Sequence, residues 1–175
     1  FFRYYKTLLL TTDAKPNAAH AALAKLEAQG KLTAVVTQNI DGLHQLAGSK
    51  NVYELHGSIH RNHCMRCNRF FDAEYVKNHS GIPYCPCGGM IKPDVVLYEE
   101  SLDPDVLAGA VTHISRADML IVGGTSLQVY PAAGLINYYS GNKLVLINKT
   151  ITPYDSYANL VINDSIGKVL SAAVE

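Results

Sequence analysis

Four cysteines place the strongest constraint on the fold, because all of them lie in one short stretch of a 175-residue chain. They form two close pairs separated by 17 residues, Cys64-x-x-Cys67 and Cys85-x-Cys87. Two such pairs on neighbouring turns can supply the four soft thiolate ligands of a tetrahedral zinc ion. The dipeptide Gly88-Gly89 that follows favours a tight turn around the metal. The pattern therefore predicts a small module built around one zinc.

Two disulfides or four free thiols are the alternatives to this zinc site. The first residues, Phe1-Phe2-Arg3, do not open a long apolar run, so we expect no secretion signal, and this favours zinc because disulfides are typical of secreted proteins. His60 and His63 precede Cys64 and could act as ligands, but four thiolates already complete the coordination shell. A shell closed by protein ligands has no open position for a substrate, so we expect a structural zinc.

Charge and composition exclude several classes of function. The 15 Lys and Arg residues balance the 15 Asp and Glu residues, so we expect no direct nucleic-acid binding and no membrane surface. The longest apolar runs, such as Met119–Val122, are far shorter than the roughly 20 residues of a membrane helix. With 48% hydrophobic and 17% charged residues the chain has a globular composition, and we expect a cytoplasmic monomer.

Helical and strand-like segments alternate along the chain. Apolar spacing predicts helices over residues 17–29, 104–114 and 166–173 and a helix start near Pro131. Short apolar runs predict strands over residues 32–37, 52–55, 95–97, 119–122, 144–147 and 160–162. This alternation predicts an α/β domain with a doubly wound, mostly parallel sheet. Because the composition changes after residue 59, we expect a first α/β part (1–59), an inserted zinc module (60–92) and a second α/β part (93–175).

Polar residues follow several predicted strands, at the sheet edge where α/β proteins bind ligands. They are Thr37, Gln38, Asn39, Asp41, His56, Gly124, Thr125, Ser126 and Asn148. Such side chains suit a ligand with ribose hydroxyls and phosphates, and a two-glycine turn lets the backbone approach a phosphate. His56 could act as a general base near neutral pH. A plain turn at Gly124 and a structural role for His56 are the alternatives.

Several motifs, in the right order, resemble the sirtuin family of NAD-dependent protein-lysine deacylases. They are Thr-Gln-Asn-Ile-Asp-Gly-Leu-His at 37–44, Glu-Leu-His-Gly-Ser at 54–58, the cysteine pairs, Lys-Pro-Asp-Val-Val-Leu-Tyr-Glu-Glu at 92–100, Gly-Thr-Ser-Leu-Gln-Val-Tyr-Pro-Ala at 124–132 and Leu-Ile-Asn at 146–148. The resemblance covers essentially the whole chain, in the style of bacterial members. It implies a Rossmann-like domain with an inserted zinc module, NAD over the strand ends, and acyl-lysine in a tunnel between the two.

The resemblance also implies a reaction and residue roles. In the family the acyl oxygen attacks the ribose carbon that bears nicotinamide, nicotinamide leaves, and the acyl group, expected here to be acetyl, ends on ADP-ribose. Catalytic positions are matched by His56, Asn39 and Asp41, with His56 as the general base. Cofactor-binding positions are matched by Gln38, Asn39, Asp41, Gly124, Thr125, Ser126, Asn148 and Ile166. Substrate-binding positions are matched by Val96 and Tyr98 at the tunnel and by Gln128 and Val129 on a flanking strand.

Three departures from the family pattern bear on structure and activity. Glu99 stands where many members have glycine, and the spacing of the second cysteine pair is short. The family's first strand and its Gly-Ala-Gly-x-Ser phosphate loop are not found in the sequence and would precede Phe1. We therefore expect the 175-residue chain on its own to be inactive and poorly folded.

Two other functions compete with deacylation. The first is a non-catalytic zinc-binding interaction module, although such a module has no need for Gln38, Asn39 and His56 together at strand ends. The second is a protein ADP-ribosyltransferase that uses the same pocket. Sequence does not separate this transferase from a deacylase, whereas the reaction products do.

Overall fold

Strands and helices follow one another largely in the predicted order. The structure is a computed structural model that describes residues 1–10 and 13–174. The strands are β1 (Val35–Thr37), β2 (Val52–Glu54), β3 (Gly57–Cys64), β4 (Phe70–Phe71), β5 (Ile91–Val95), β6 (Leu120–Gly123), β7 (Leu144–Ile147) and β8 (Leu160–Ile162). The α-helices are α1 (Phe2–Tyr4), α2 (Ala18–Ala28), α3 (Leu43–Leu46), α4 (Ala73–Asn78), α5 (Pro104–Arg116) and α6 (Ile166–Ala173). A π-helical segment spans Tyr5–Leu9, and 3-10 helices span Ala132–Tyr138 and Asp155–Tyr157.

The α/β part carries parallel strands, as the alternation of elements predicts. β1 pairs with β2, and β6, β7 and β8 pair in that order, in parallel register throughout. These strands form two separate sheets rather than one, because no strand among the described residues joins the pair β1–β2 to the other three. Val36 of β1 and Leu120 of β6 nevertheless pack into one hydrophobic cluster around Leu55, so the two sheets share a core.

β7 is covered on both faces, which explains why its sequence is apolar at every position. On one face Ile147 packs with Ala19 and Ala22 of α2 and with Leu170 of α6. On the other face Leu144 and Leu146 pack with Leu127 and Ile136 of the segment that follows β6. Burial of apolar side chains on both faces is what a parallel sheet requires, so the doubly wound arrangement is confirmed for this strand.

The longer helices begin at N-terminal capping residues, at the positions that the sequence pattern predicts. Asn17 accepts the backbone N–H groups of Ala19 (2.9 Å) and His20 (3.3 Å) at the start of α2. Asp103 accepts those of Asp105 (2.8 Å) and Val106 (3.1 Å) at the start of α5. Each cap satisfies N–H groups that have no partner within the helix, which stabilises each helix by about 1 kcal/mol.

The cysteine-rich segment forms an antiparallel sheet, with β3 between β4 and β5. The strand predicted at residues 95–97 is shifted, because β5 runs from Ile91 to Val95 and pairs with β3 instead of joining the parallel sheet. β3 and β5 extend past both expected edges of the zinc module, 59/60 and 92/93. Tyr5 and Leu10 of the N-terminal segment pack into the core of this module.

None of the helices formed by the described residues has the length and apolar character needed to cross a membrane.

Candidate active site

Hydrogen bonds join the end of β1 and the loop that follows it to the segment after β2. The N–H of Leu55 donates to the carbonyl of Thr37 (2.9 Å), and the N–H of Ile59 donates to that of Ile40 (3.0 Å). Between them, the His56 ring donates to the carbonyl of Gln38 at 2.9 Å. The predicted residues at these two strand ends are therefore brought together around His56.

The contact with Gln38 determines which nitrogen of His56 is available for chemistry. A carbonyl oxygen only accepts hydrogen bonds, so Nδ1 of His56 must carry the hydrogen. In the neutral ring Nε2 then holds the lone pair and is the atom that can accept a proton. The residue is half-buried, so the ring is fixed while part of it stays accessible. A ring held in this way can offer Nε2 to a ligand.

Turns within the loop orient the amide and carboxylate groups beside His56. Thr37 Oγ1 accepts the N–H of Asn39 at 3.1 Å, and Asp41 Oδ1 accepts the N–H of Leu43 at 3.0 Å at the start of α3. Asn39 is exposed and Asp41 is half-buried. Within the described part of the chain, the side chains of Gln38 and Asn39 have no hydrogen-bond partner. Their amides are thus free to bind a polar ligand.

A second group of predicted residues lies at the ends of β6 and β7. Gly124 has φ +67° and donates its N–H to the carbonyl of Ile147 at 3.2 Å, which places it beside Asn148. A Cβ on Gly123 would lie 2.3 Å from Cδ1 of Ile166, so a larger residue there would displace the Ile166 side chain. The structure therefore places Gly124 beside Asn148 and Ile166 beside Gly123, at the ends of β6 and β7.

Thr125 and Ser126 continue this second group along the loop. Thr125 Oγ1 accepts the N–H of Leu127 at 3.2 Å, which makes a tight turn, and Ser126 is exposed. Asn148 uses its amide to bond the carbonyl of Thr150 at 3.1 Å. The hydroxyl of Ser126 remains open to solvent, whereas the other two side chains also shape the backbone.

The predicted substrate residues fall into two segments. Val96 donates its N–H to the carbonyl of His56 at 3.0 Å and packs in the cluster around Leu55. Tyr98 lies at the tip of the next turn and is 99% exposed, and Gln128 and Val129 are exposed as well. Val96 is thus adjacent to His56, whereas the other three side chains face solvent.

The strand expected at Gln128 and Val129 is absent, which corrects the prediction. Leu127 has φ +54°, a left-handed conformation that ends extended structure. The carbonyl of Val129 accepts the N–H of Ala133 at 2.8 Å, so the chain already turns into the 3-10 helix. The apolar side chain of Leu127 is buried against Ile136, Leu144 and Leu146, and this packing fixes the turn.

Glu99 occupies a backbone position that favours glycine. It has φ +71° and lies in a β-turn closed by the N–H of Glu100, which donates to the carbonyl of Leu97 at 3.1 Å. The Glu100 carboxylate accepts the N–H of Leu97 and the Lys92 ammonium, both at 3.0 Å, and these bonds lower its pKa. The turn keeps its shape without glycine, at the cost of a strained residue at its tip.

The four cysteines converge on one point, as their spacing predicts. Their sulfur atoms all lie within 4.8 Å of one another, with Cys64–Cys87 at 3.4 Å and Cys67–Cys85 at 3.6 Å. Sulfurs placed about 2.3 Å from a tetrahedral zinc would lie roughly 3.8 Å apart, so the cluster fits zinc closely. Neither His60 nor His63 belongs to this cluster, which agrees with a four-thiolate site.

Backbone groups favour the thiolate form at Cys64, whereas at Cys85 the N–H of Cys87 is outweighed by burial and by hydrogen bonds with the other sulfurs, which raise the pKa of that thiol to about 12. Burial disfavours charge on Cys64, but the N–H groups of Cys67 and Arg66 outweigh it and lower the pKa of that thiol to about 6. A Cβ on Gly89 would lie 2.6 Å from the Cys64 sulfur, so glycine is required at the second turn. The signal for this turn, the Gly88-Gly89 pair, was visible in the sequence.

Sequence reasoning missed two residues that shape the site. Gly57, directly after His56, has φ +76°, and a Cβ there would lie 1.7 Å from the carbonyl oxygen of Asp94. Arg61 joins the carboxylate of Glu54 at 2.8 Å to that of Asp94 at 3.9 Å, which ties β2 to the antiparallel sheet. A glycine after a strand-end histidine was a usable signal for the first. Nothing local to Arg61 marked the second.

Comparison with known proteins places this geometry in one family. Residues 1–131 match the model of the Sir2 family. The chain is 66% identical over 176 residues to a protein of Clostridium acetobutylicum named NAD-dependent protein deacetylase, and 63% identical over 177 residues to one of that name from Clostridium perfringens. It spans 72% of the length of each.

Solved structures of Sir2 proteins have the same fold as this chain. A structure described as Sir2 bound to acetylated peptide superposes with a TM-score of 0.90 at 41% identity, over 99% of this chain and 76% of that one. A complex of Sir2 with an inhibitor, 2′-O-acetyl-ADP-ribose and a deacetylated peptide gives a TM-score of 0.91 at 43% identity, over 99% and 77%. The chain therefore belongs to the Sir2 family.

Proposed function

We propose that this protein removes acyl groups, acetyl first among them, from protein lysines in a reaction that consumes NAD and yields nicotinamide and O-acyl-ADP-ribose. The observation that carries this proposal is His56, whose Nδ1 is held by Gln38 while Nε2 is left to accept a proton. The clostridial relatives named NAD-dependent protein deacetylase support the same activity.

The residues at the strand ends fit a dinucleotide. Gln38 and Asn39 offer amides without partners within the described residues, and an added Cβ on Gly124 would meet no atom within 4 Å. We propose that the Gln38–Asp41 loop holds the nicotinamide ribose, while Thr125, Ser126, Asn148 and Ile166 hold the adenosine end. Bound NAD supplies an electrophilic ribose carbon and nicotinamide as the leaving group.

His56 then acts as a general base through its Nε2 atom. Nε2 accepts the proton of a ribose hydroxyl, and the Gln38 carbonyl stabilises the resulting imidazolium through the Nδ1–H bond. Asn39 and Asp41 orient the ribose so that this hydroxyl faces Nε2. Positioning of reactants in this way can account for several kcal/mol of a reaction barrier.

The acyl-lysine enters beside Val96, whose backbone is bonded to His56 at 3.0 Å. We propose that Tyr98, which is 99% exposed at the tip of its turn, lies at the entrance to the acyl-lysine site and contacts the incoming peptide. We propose that the exposed residues Gln128 and Val129 contact the bound peptide without forming a strand. An acyl-lysine peptide is thus the partner that this surface fits, and no nucleic acid is needed.

We propose that the four cysteines hold one zinc ion whose role is structural. The ion would cross-link the turn after β3 to the turn before β5 and so support the sheet that begins at Gly57, next to His56. Transfer of the acyl group to ADP-ribose makes the enzyme a transferase, and because the lysine amide bond is broken with consumption of one water molecule the reaction also has a hydrolytic component. Action as a cytoplasmic monomer is part of the same proposal.

The products of the reaction test this function. Full-length protein incubated with an acetyl-lysine peptide and NAD should yield deacetylated peptide, nicotinamide and O-acetyl-ADP-ribose in equal amounts. ADP-ribosylated protein without deacetylated peptide would instead identify a protein ADP-ribosyltransferase. Unchanged NAD and peptide would identify a non-catalytic zinc-binding module.

A further inference from the structure

We propose that His60 is a positioning residue that holds the Asp41–Gly42 turn of the nucleotide loop from the side of the zinc module. Its ring lies 2.9 Å from the carbonyl oxygen of Asp41, which joins β3 to the loop after β1. Because the carbonyl only accepts, the Nε2 atom of His60 donates. The effect on NAD rests on the function proposed above, whereas the effect on the turn does not.

The ring also packs against the backbone of the turn. Gly42 has φ +69°, and a Cβ added to it would lie 2.9 Å from Cδ2 and 3.1 Å from Nε2 of His60. The imidazole therefore fills the space that a side chain at residue 42 would occupy. The hydrogen bond and the packing contact together restrain Asp41 and Gly42, which precede helix α3.

Neighbouring bonds hold His60 itself in register with the loop. Its N–H donates to Ser58 Oγ at 3.2 Å, and the N–H of Ile59 donates to the Ile40 carbonyl at 3.0 Å. Successive residues of β3 thus bond successive residues of the loop. The side chain of His60 extends this pairing by one residue, to the carboxylate-bearing residue of the site.

His60 and His56 use similar bonds for different purposes. Each ring donates to a carbonyl of the same loop, at 2.9 Å in both cases. His56 lies at the site and presents its second nitrogen to a ligand, whereas His60 is exposed and acts only on the Asp41 turn. Loss of His56 should therefore abolish the chemical step, and loss of His60 should weaken NAD binding.

Amide hydrogen exchange tests the restraint without reference to activity. In full-length His60→Phe, residues 38–44 should exchange about three- to tenfold faster than in the unaltered protein, the range expected for loss of one neutral hydrogen bond. His60→Gln, which keeps a side-chain N–H donor, should restore slow exchange. His79→Phe is the matched control, because the His79 ring bonds the Ser80 carbonyl at 2.7 Å away from the loop.

Kinetics then separates positioning from a general loss of structure. His60→Phe should raise KM for NAD about three- to tenfold with kcat within twofold, and His60→Gln should return KM toward normal. Unchanged exchange in His60→Phe, or a fall in kcat with constant KM, would overturn the proposal. Absence of deacetylation in the unaltered protein would refute the proposed function and leave the exchange result to decide the role of His60.

Discussion

His44 shows how one side chain beside the site can couple protonation to folding. Its ring contacts that of His20, with centroids 4.6 Å apart, and its Nδ1 is buried without a partner among the described residues. Burial is the largest cause that lowers the pKa of His44, the charge of His20 adds to it, and Asp41 and Glu54 oppose it. The folded protein therefore favours the neutral ring.

This shift predicts a loss of stability in mild acid. The unfolded chain, with a pKa near 6.5 for this residue, binds more protons than the folded chain as the pH falls through 6.5 and then through the lowered value. The contribution of His44 is present above 6.5 and is lost below it. Chemical unfolding at pH 7.5 and 5.5 should show a smaller drop for His44→Gln than for the unaltered protein. An equal drop in both would contradict this origin.

Glu99 gives a second prediction at the scale of one residue. A side chain in the left-handed region costs roughly 1 to 2 kcal/mol, and glycine avoids that cost while it adds freedom to the unfolded chain. Glu99→Gly should therefore raise the free energy of unfolding by about 0.5–1 kcal/mol, whereas Glu99→Ala should not. Thermal unfolding of the two variants checks the claim, and equal melting temperatures would count against it.

Elements differ in how far their sequences predict them. β7, β8 and α6 begin and end where the apolar pattern predicts, and Asn17 marks the start of α2. β5 begins earlier than predicted because three of its residues, Lys92, Pro93 and Asp94, carry no β-strand signal and pair only through contact with β3. Register between distant strands is a tertiary property that local pattern does not contain.

Gly57 tests the pairing of β3 with β5. A Cβ at residue 57 would lie 1.7 Å from the Asp94 oxygen, so Gly57→Ala must displace backbone and should cost on the order of 3 kcal/mol or more. Gly30→Ala is the matched control, because Gly30 has φ +70° with no atom within 4 Å of an added Cβ. It should cost only about 1 kcal/mol. Similar losses in denaturant unfolding for the two variants would refute the clash.

Zinc removal tests the module as a unit. Ile91 and Val76 share a buried cluster with Cys64 and Cys85, so loss of the metal should open this core. Chelation should speed amide exchange in β3 and β5 at least tenfold while β6, β7 and β8 stay protected. Metal analysis should find one zinc per chain before chelation. Unchanged exchange in β3 and β5 after the metal is gone would contradict a structural role.

At the scale of the whole molecule, His56 lies where the parallel strands meet the zinc module. It follows β2, precedes β3, and its carbonyl accepts the N–H of Val96 after β5. The chain of Glu54, Arg61 and Asp94 ties the same parts together. Motifs in the sequence were enough to predict the family. The motifs did not predict the bond of His60 to Asp41 or of Arg61 to Asp94, because the two residues of each pair are distant in the chain.

The formation of O-acetyl-ADP-ribose by His56→Ala is the most direct test of this molecule's function. With full-length protein, an acetyl-lysine peptide and NAD, the variant should form this product at least 100-fold more slowly than the unaltered protein, within the range that general-base catalysis contributes. Its melting temperature should stay close to normal, since the ring is half-buried and makes one hydrogen bond. A folded His56→Ala protein that forms O-acetyl-ADP-ribose at the normal rate would contradict the assignment.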